Sequence, residues 1–216
     1  MFAIPEREVF RYLGYRDTSP SEDIVKIINE CASVIKNEAN AKSLSRIFDI
    51  VINEGTVLLG GLILKSKSLA KHVKGCEKAI LFASTLGIQV DRIIARFEHA
   101  DMSRALILNA CAAAAIESFS DDECKILSEK LVHEGLYLKP RFSPGYGDLS
   151  LSYQKDILSI LEAQKKIGLS LTDSLMLIPA KSVTAVIGVS ASRNDCSIDK
   201  CALCDKTDCA FRSGGV

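Results

Sequence analysis

The sequence predicts an α+β fold, in which helices and strands are mixed along a chain of 216 residues. Three observations lead to this prediction. Segments with apolar residues at helical spacing occur beside short segments rich in β-branched residues. The two kinds of segment do not alternate in the strict rhythm that is typical of a parallel, doubly wound sheet. The composition, 48% apolar and 25% charged, is that of a globular protein large enough to bury a core.

The sequence of the first half of the chain predicts a β-hairpin with helices before and after it. Ser19-Pro20-Ser21-Glu22 combines a capping serine, a proline at the first helical position and a glutamate three residues after the cap, so a helix is expected from there to about Asn37. Residues 47–52 are rich in β-branched side chains and predict a strand, which a turn at residues 53–55 connects to a second strand at 56–59 or beyond. The other elements predicted in this half are a short helix at 68–74, a strand at 79–84 and a helix at 88–97.

The second half predicts more helices and one pair of strands. A long helix is expected from the cap Asp101 through Phe119, and a separate helix over residues 121–133. A further helix over residues 155–167 is closed by Gly168. Two strands, at 175–178 and 183–189, are joined around Pro179.

Charge and hydropathy exclude several classes of protein. The 27 basic residues balance the 27 acidic ones, so no nucleic-acid partner is predicted. The longest uncharged apolar run, residues 105–116, is too short to span a bilayer, and the N-terminus does not have the pattern of a secretory signal. We therefore expect a cytoplasmic protein that binds neither nucleic acid nor membrane. No catalytic residue is predicted, since there is no recognisable nucleophile or triad and the three histidines, His72, His99 and His133, are expected at the surface.

The most informative segment is the hexapeptide Arg141-Phe142-Ser143-Pro144-Gly145-Tyr146. The arginine offers a planar fork of donors that suits a carboxylate, and the tyrosine offers a ring for a flat or cationic group. The Pro-Gly pair fixes a turn and permits positive φ. A small zwitterion with a carboxylate, an aromatic base and a positive centre, such as S-adenosylmethionine, would suit this loop. An ordinary surface turn has the same residue types, so the surrounding sequence decides between the two interpretations.

That surrounding sequence resembles the activation (reactivation) domain of cobalamin-dependent methionine synthase. The family signature is an R-P-x-P-G-Y loop, a helix, and then L-T-E-S-x-x-M-x-P-x-x-S-V. Here the loop RFSPGY is followed by a predicted helix and then by LTDSLMLIPAKSV, which ends at Val183. The resemblance extends over roughly residues 117–189, and we find no counterpart for the tail after Ser192. It implies a bent, largely antiparallel sheet with helices packed around it.

The resemblance also implies a binding site for S-adenosylmethionine. Arg141 would pair with the ligand's carboxylate, Ser143 and the backbone near Gly145 would form hydrogen bonds with the ligand, and Tyr146 would pack beside it. The segment Ile116-Glu117-Ser118-Phe119 resembles the family's A-E-A-F, so Glu117 would contact the nucleoside. The alternative is that Glu117 emerges near a helix end and faces water. An upstream acidic residue of the family, and an aromatic residue after the S-V strand, have no counterpart that we can identify.

Four cysteines near the C-terminus, Cys196, Cys201, Cys204 and Cys209, have the spacing C-x4-C-x2-C-x4-C. Thiolates are suitable ligands for zinc or an iron–sulfur cluster. Zinc ribbons separate two cysteine pairs by a longer segment, so this compact spacing favours a [4Fe–4S] cluster over zinc. The other four cysteines are scattered, and Cys31 and Cys111 are expected to be buried as small hydrophobes. We therefore divide the chain into an α+β domain, residues 1–192, and a metal-binding tail, residues 193–216.

These expectations combine into a function. The domain would stand alone and reactivate a separate cobalamin-dependent methionine synthase or related corrinoid methyltransferase. It would bind S-adenosylmethionine and support reductive methylation of cob(II)alamin held by that partner, with an electron donor or the tail cluster supplying the electron. The alternative is a non-catalytic regulator or scaffold that binds a corrinoid protein and carries a structural zinc tail.

Overall fold

A computed structural model describes residues 2–15 and 20–192 of the chain. These residues form the predicted α+β fold. The helices are α1 (Glu6–Tyr12), α2 (Glu22–Glu38), α3 (Lys67–His72), α4 (Ile88–Ala100), α5 (Met102–Val132), α6 (Tyr153–Leu161) and α7 (Ala163–Ile167). The strands are β1 (Lys42–Asn53), β2 (Thr56–Leu59), β3 (Leu62–Lys65), β4 (Lys78–Thr85), β5 (Tyr137–Leu138), β6 (Ser170–Leu171), β7 (Leu177–Ile178) and β8 (Ser182–Ser190).

Six strands form an antiparallel sheet in the order β3-β2-β1-β4-β8-β5, which confirms the predicted antiparallel character. The hairpin of β1 and β2 pairs Ile52 with Val57, and β2 pairs in turn with β3. At the far side of the sheet, β5 pairs with β8 through Leu138 and Val189. The short strands β6 and β7 form a separate two-stranded sheet.

The described residues cluster into two compact units. The first consists of the described parts of Met1–Ser45, Phe82–Ile126 and Gln154–Thr184. Its core is built from the apolar faces of α2, α4 and the first half of α5, where the amphipathic spacing of isoleucines and small residues buries one side of each helix. Cys31 and Cys111 lie within this core, as predicted. The segment that precedes α2 adds Val9 of α1 to the same cluster.

The second unit consists of Arg46–Leu81, Leu127–Tyr153 and the described part of Ala185–Val216. It contains the β2–β3 hairpin, α3, β5 and the hexapeptide loop. Buried and exposed side chains alternate along β2 and β3, as expected for strands whose sheet has one buried face. The fully buried apolar side chains of this unit include Val57, Leu59, Leu64, Leu69, Val73, Leu81, Leu149, Val186, Ile187 and Val189.

The structure corrects three of the predicted elements. The two helices expected on either side of Ser120 are one continuous helix, α5. Ser120 can lie buried within the helix because its hydroxyl donates to the carbonyl of Ile116, 2.7 Å away, and shares a 2.8 Å hydrogen bond with the Ser84 hydroxyl. The helix predicted over 155–167 is two helices, because Glu162 has φ 53° and interrupts it. The helix predicted to start with Pro20 begins later, since α2 starts at Glu22 with Ser21 as its N-cap, and the predicted cap Ser19 lies outside the described residues.

Within residues 2–15 and 20–192, no helix combines the length and apolar character needed to cross a lipid bilayer.

Candidate functional site

The hexapeptide loop follows β5 and is held to β8 by its backbone. The N–H of Phe142 donates to the carbonyl of Val186 at 2.9 Å, and the carbonyl of Phe142 accepts from the N–H of Val186 at 2.8 Å. Beyond this bridge the chain makes a tight turn in which Tyr146 N–H donates to Ser143 and Gly145 N–H donates to Leu149. These bonds fix the backbone of the loop on both sides of its tip.

Gly145 has the conformation that the Pro-Gly pair predicts. Its φ of 94° is in a region that residues with a side chain rarely adopt. A Cβ added here would also approach Leu151 Cδ2 to 3.1 Å. Since the N–H groups of Gly145 and Tyr146 are already bonded within the loop, these two groups serve the turn rather than a ligand.

The side chains of the loop differ in exposure. Arg141 is buried, with 7% of its surface accessible, and Ser143 is half-buried. Tyr146 is 53% exposed, and its ring lies edge-on to that of Phe142 with 6.1 Å between the ring centroids. The loop therefore combines a guanidinium shielded from water with an accessible aromatic ring. A carboxylate paired with this guanidinium would be less screened by solvent than one at the surface.

Helix α3 supports the start of the loop through His72. The Nε2–H of His72 donates to the carbonyl of Pro140, 2.8 Å away, and the imidazole lies 5.0 Å from the ring of Phe142 between centroids. His72 is half-buried, so the expectation of a surface histidine is wrong for this residue. The sequence held no signal for this contact, because His72 and Pro140 are 68 residues apart.

Asp148 joins the other side of the loop to the beginning of α3. Its carboxylate accepts from the Ser66 hydroxyl and from the N–H groups of Lys67 and Ser68, at 2.8 Å and 3.1 Å respectively. The hydrogen bond from Ser66, together with those from the two backbone amides, holds the pKa of this carboxyl well below its usual range. Asp148 belongs to none of the motifs recognised in the sequence. Its place directly after the Gly-Tyr-Gly turn was the one available signal.

Glu117 belongs to the first unit. It is half-buried in α5, which continues well beyond it to Val132, so Glu117 is not near a helix end. The pKa of the Tyr12 phenol is raised mainly by burial and, as the second cause, by the negative charge of Glu117. Arg11 lies over the Tyr12 ring at 4.8 Å. The structure thus brings Arg141, Ser143, Gly145 and Tyr146 together in one loop, and it places Glu117 beside α1.

The predicted metal ligands Cys196, Cys201, Cys204 and Cys209 lie outside the described residues. Among the residues that are described, no group of three or more His, Cys, Asp or Glu side chains could hold a metal ion. Burial, with a smaller contribution from the neighbouring Cys31, raises the pKa of the Cys111 thiol to about 12. The buried cysteines of the core are therefore protonated and unsuited to metal binding.

Comparison with known proteins identifies the family. Residues 65–214 match the family model described as "Vitamin B12 dependent methionine synthase, activation domain". The chain belongs to this family. The match includes Glu117 and the hexapeptide loop, and it begins well before the stretch indicated by the sequence motifs. It also continues through the four C-terminal cysteines, where the motifs had suggested no counterpart.

A solved structure supports the assignment at the level of the fold. The chain is similar to the structure entitled "Crystal Structure of the MetH Reactivation Domain bound to AdoHcy", with a TM-score of 0.62 and 15% sequence identity. The similarity covers 84% of this chain and 74% of the other. No curated protein matches the chain.

Proposed function

We propose that this activation-domain protein binds S-adenosylmethionine and supports the reductive methylation of cob(II)alamin in a methionine synthase or a related corrinoid methyltransferase. The observation that carries the proposal is the hexapeptide loop. It holds a buried guanidinium and an exposed tyrosine ring on a backbone fixed by the bonds of Phe142 and Gly145. Membership of the activation-domain family supports the same function.

Each loop residue has a proposed role in holding the ligand. The guanidinium of Arg141 pairs with the ligand's carboxylate, and the Ser143 hydroxyl bonds its polar groups. Gly145 gives the turn its positive φ, and the ring of Tyr146 lies beside the sulfonium or the adenine. Glu117 stays a predicted contact through ribose hydroxyls or the ligand's ammonium. Its test is the substitution Glu117→Gln, which keeps the shape of the side chain and removes its charge.

The proposed reaction has two steps, a one-electron reduction and a methyl transfer. One electron from a donor reduces cob(II)alamin to cob(I)alamin, the substrate held by the partner protein. The cobalt electron pair then attacks the methyl carbon of the sulfonium, so a Co–C bond forms, the C–S bond breaks, and S-adenosylhomocysteine leaves with the electron pair of that bond. The chain's own residues bind and orient the methyl donor, while cobalt and the sulfonium make and break the bonds.

A labelled methyl group tests the function directly. The purified full chain is mixed anaerobically with a cob(II)alamin-loaded methionine synthase that lacks its own activation domain, with titanium(III) citrate as reductant and methyl-labelled S-adenosylmethionine. We expect label to appear in methylcobalamin only when the chain is present. S-adenosylhomocysteine, added in excess, should suppress the transfer by competing for the site. Equal labelling with and without the chain would contradict the proposal.

We further propose that residues 193–216 form a metal-binding tail with Cys196, Cys201, Cys204 and Cys209 as ligands. The donor set fits either candidate, because four thiolates bind both iron–sulfur clusters and zinc. A [4Fe–4S] cluster would supply one-electron chemistry, whereas zinc would only hold the segment together.

Anaerobic reconstitution distinguishes the two metals. With iron and sulfide, the parent should develop broad visible charge-transfer absorption and retain about four irons per chain, the content of one [4Fe–4S] cluster. The double variant Cys201→Ser/Cys204→Ser should show neither. Stoichiometric zinc without such absorption would assign a structural tail, and retention of neither metal would remove the tail from the proposal.

A further inference from the structure

From the contacts of Asp148, we infer that this residue is a positioning residue that holds the hexapeptide loop in its binding conformation by anchoring it to helix α3. The inference rests on the proposed function, because the loop is the proposed site for S-adenosylmethionine. Asp148 lies outside the hexapeptide and acts through it.

The anchor is a set of charge-assisted hydrogen bonds between segments far apart in sequence. One carboxylate accepts from the Ser66 hydroxyl and from two successive backbone N–H groups, those of Lys67 and Ser68. Bonds to an ionised acceptor are about twice as strong as neutral ones. The lowered pKa keeps the carboxyl ionised at neutral pH, so these bonds persist under ordinary conditions.

Close packing at the neighbouring residue supports the same anchor. Gly147 has φ 52°, and a Cβ placed on it would lie 2.6 Å from Ser68 Oγ and 2.8 Å from Ser68 Cβ. The loop therefore meets α3 at a distance that only glycine permits. At the opposite end of this helix, His72 holds the carbonyl of Pro140. Helix α3 thus fastens the chain on both sides of the hexapeptide.

Backbone bonds connect the anchor to the residues of the site. Leu149, which follows Asp148, accepts from Gly145 N–H at 2.7 Å and donates to the carbonyl of Tyr146 at 3.0 Å. Movement of Asp148 away from α3 would shift Leu149 and, through these two bonds, the tip of the loop. Misplacement of binding groups by a small distance is sufficient to lower affinity.

Capping of α3 alone does not account for these contacts. Ser66 already caps the helix, because its side-chain oxygen accepts from Leu69 N–H at 2.9 Å. Asp148 comes from a different part of the chain and ties the loop to the same helix end. A capping role predicts lower stability with unchanged affinity of the folded protein, whereas a positioning role predicts lower affinity.

The test compares Asp148→Asn with a matched control, Asp23→Asn, which removes an exposed carboxylate at the start of α2 in the first unit, outside the family signature. Calorimetry with S-adenosylmethionine, on full chains well below their melting temperatures, should show at least about tenfold weaker binding for Asp148→Asn and parental binding for the control. Amide hydrogen exchange should become faster at Gly145 and Tyr146 in Asp148→Asn. In a double-mutant cycle with Arg141→Ala, the second change should add little, because both residues act through one loop.

The outcomes separate this inference from the proposed function. If the parent binds S-adenosylmethionine and Asp148→Asn binds equally well, the positioning role is wrong and the proposed function stands. Fully additive effects with Arg141→Ala, or unchanged exchange at Gly145 and Tyr146, would also overturn the role. If the parent does not bind the ligand, the proposed function fails and the inference falls with it.

Discussion

Replacing Arg141 by alanine is expected to weaken S-adenosylmethionine binding about 100-fold or more. A guanidinium that donates two parallel hydrogen bonds to a carboxylate contributes about 3 kcal/mol, since bonds to charged groups are worth about 1.5–3 kcal/mol each. Arg141 is 7% exposed, so little solvent screening would reduce this value. Titration calorimetry on the parent and the variant measures the difference.

Two further variants separate charge, geometry and folding. Arg141→Lys keeps the charge and loses the planar fork, so its affinity should lie between those of the parent and Arg141→Ala. Arg104→Ala removes an arginine that pairs with Glu30 in the first unit, and it should bind like the parent. Thermal unfolding of each variant must accompany the titration, because alanine in place of a buried arginine also removes packing. Comparable affinity of the parent and a folded Arg141→Ala protein would remove Arg141 from the site.

The parts of the fold that local pattern determines could be predicted from the sequence. The β-branched run at residues 47–52 and the turn at 53–55 are visible in the sequence because strand and turn preferences act over a few neighbouring residues. The strand β3 was missed because two glycines precede it and only four residues pair. The false break in α5 arose because Ser120 followed by two aspartates is typical of a helix start. Only the tertiary contact with Ser84 reveals that the serine is buried within one helix.

The candidate site shows the same division between local and distant causes. The guanidinium, hydroxyl and aromatic ring of the hexapeptide come from six adjacent residues, and the positive φ of Gly145 follows from the Pro-Gly pair. Its support is not local, since Ser66 and Asp148 are 82 residues apart. No spacing rule connects residues at that separation. The proposed binding groups could therefore be predicted from the sequence, whereas the contacts of Asp148 and His72 on either side of the hexapeptide could not.

Replacing Gly188 by alanine is expected to destabilise the second unit. Gly188 lies in β8, and a Cβ there would come within 2.7 Å of Cys76 Sγ and 3.4 Å of atoms of Lys139 and Val73. All three neighbours are buried, so none can move freely. Overpacking of this kind costs about 1–3 kcal/mol, and each kcal/mol lowers the melting temperature of a chain this size by about 2–4 °C. Thermal and urea unfolding measure the loss.

The double variant Gly188→Ala/Cys76→Ala tests the cause, because it removes the sulfur that the new methyl group would meet. We expect it to be more stable than the sum of the single changes predicts, with a coupling of about 0.5–3 kcal/mol. The carbonyl of Gly188 also accepts from the N–H of Lys139 at 2.8 Å, and Lys139 lies two residues before Arg141. We therefore expect the single variant to bind S-adenosylmethionine more weakly and the double variant to regain part of that affinity. Additive stabilities would show that Cys76 does not crowd this position. Recovery of stability without recovery of affinity would separate the packing of β8 from the placement of Arg141.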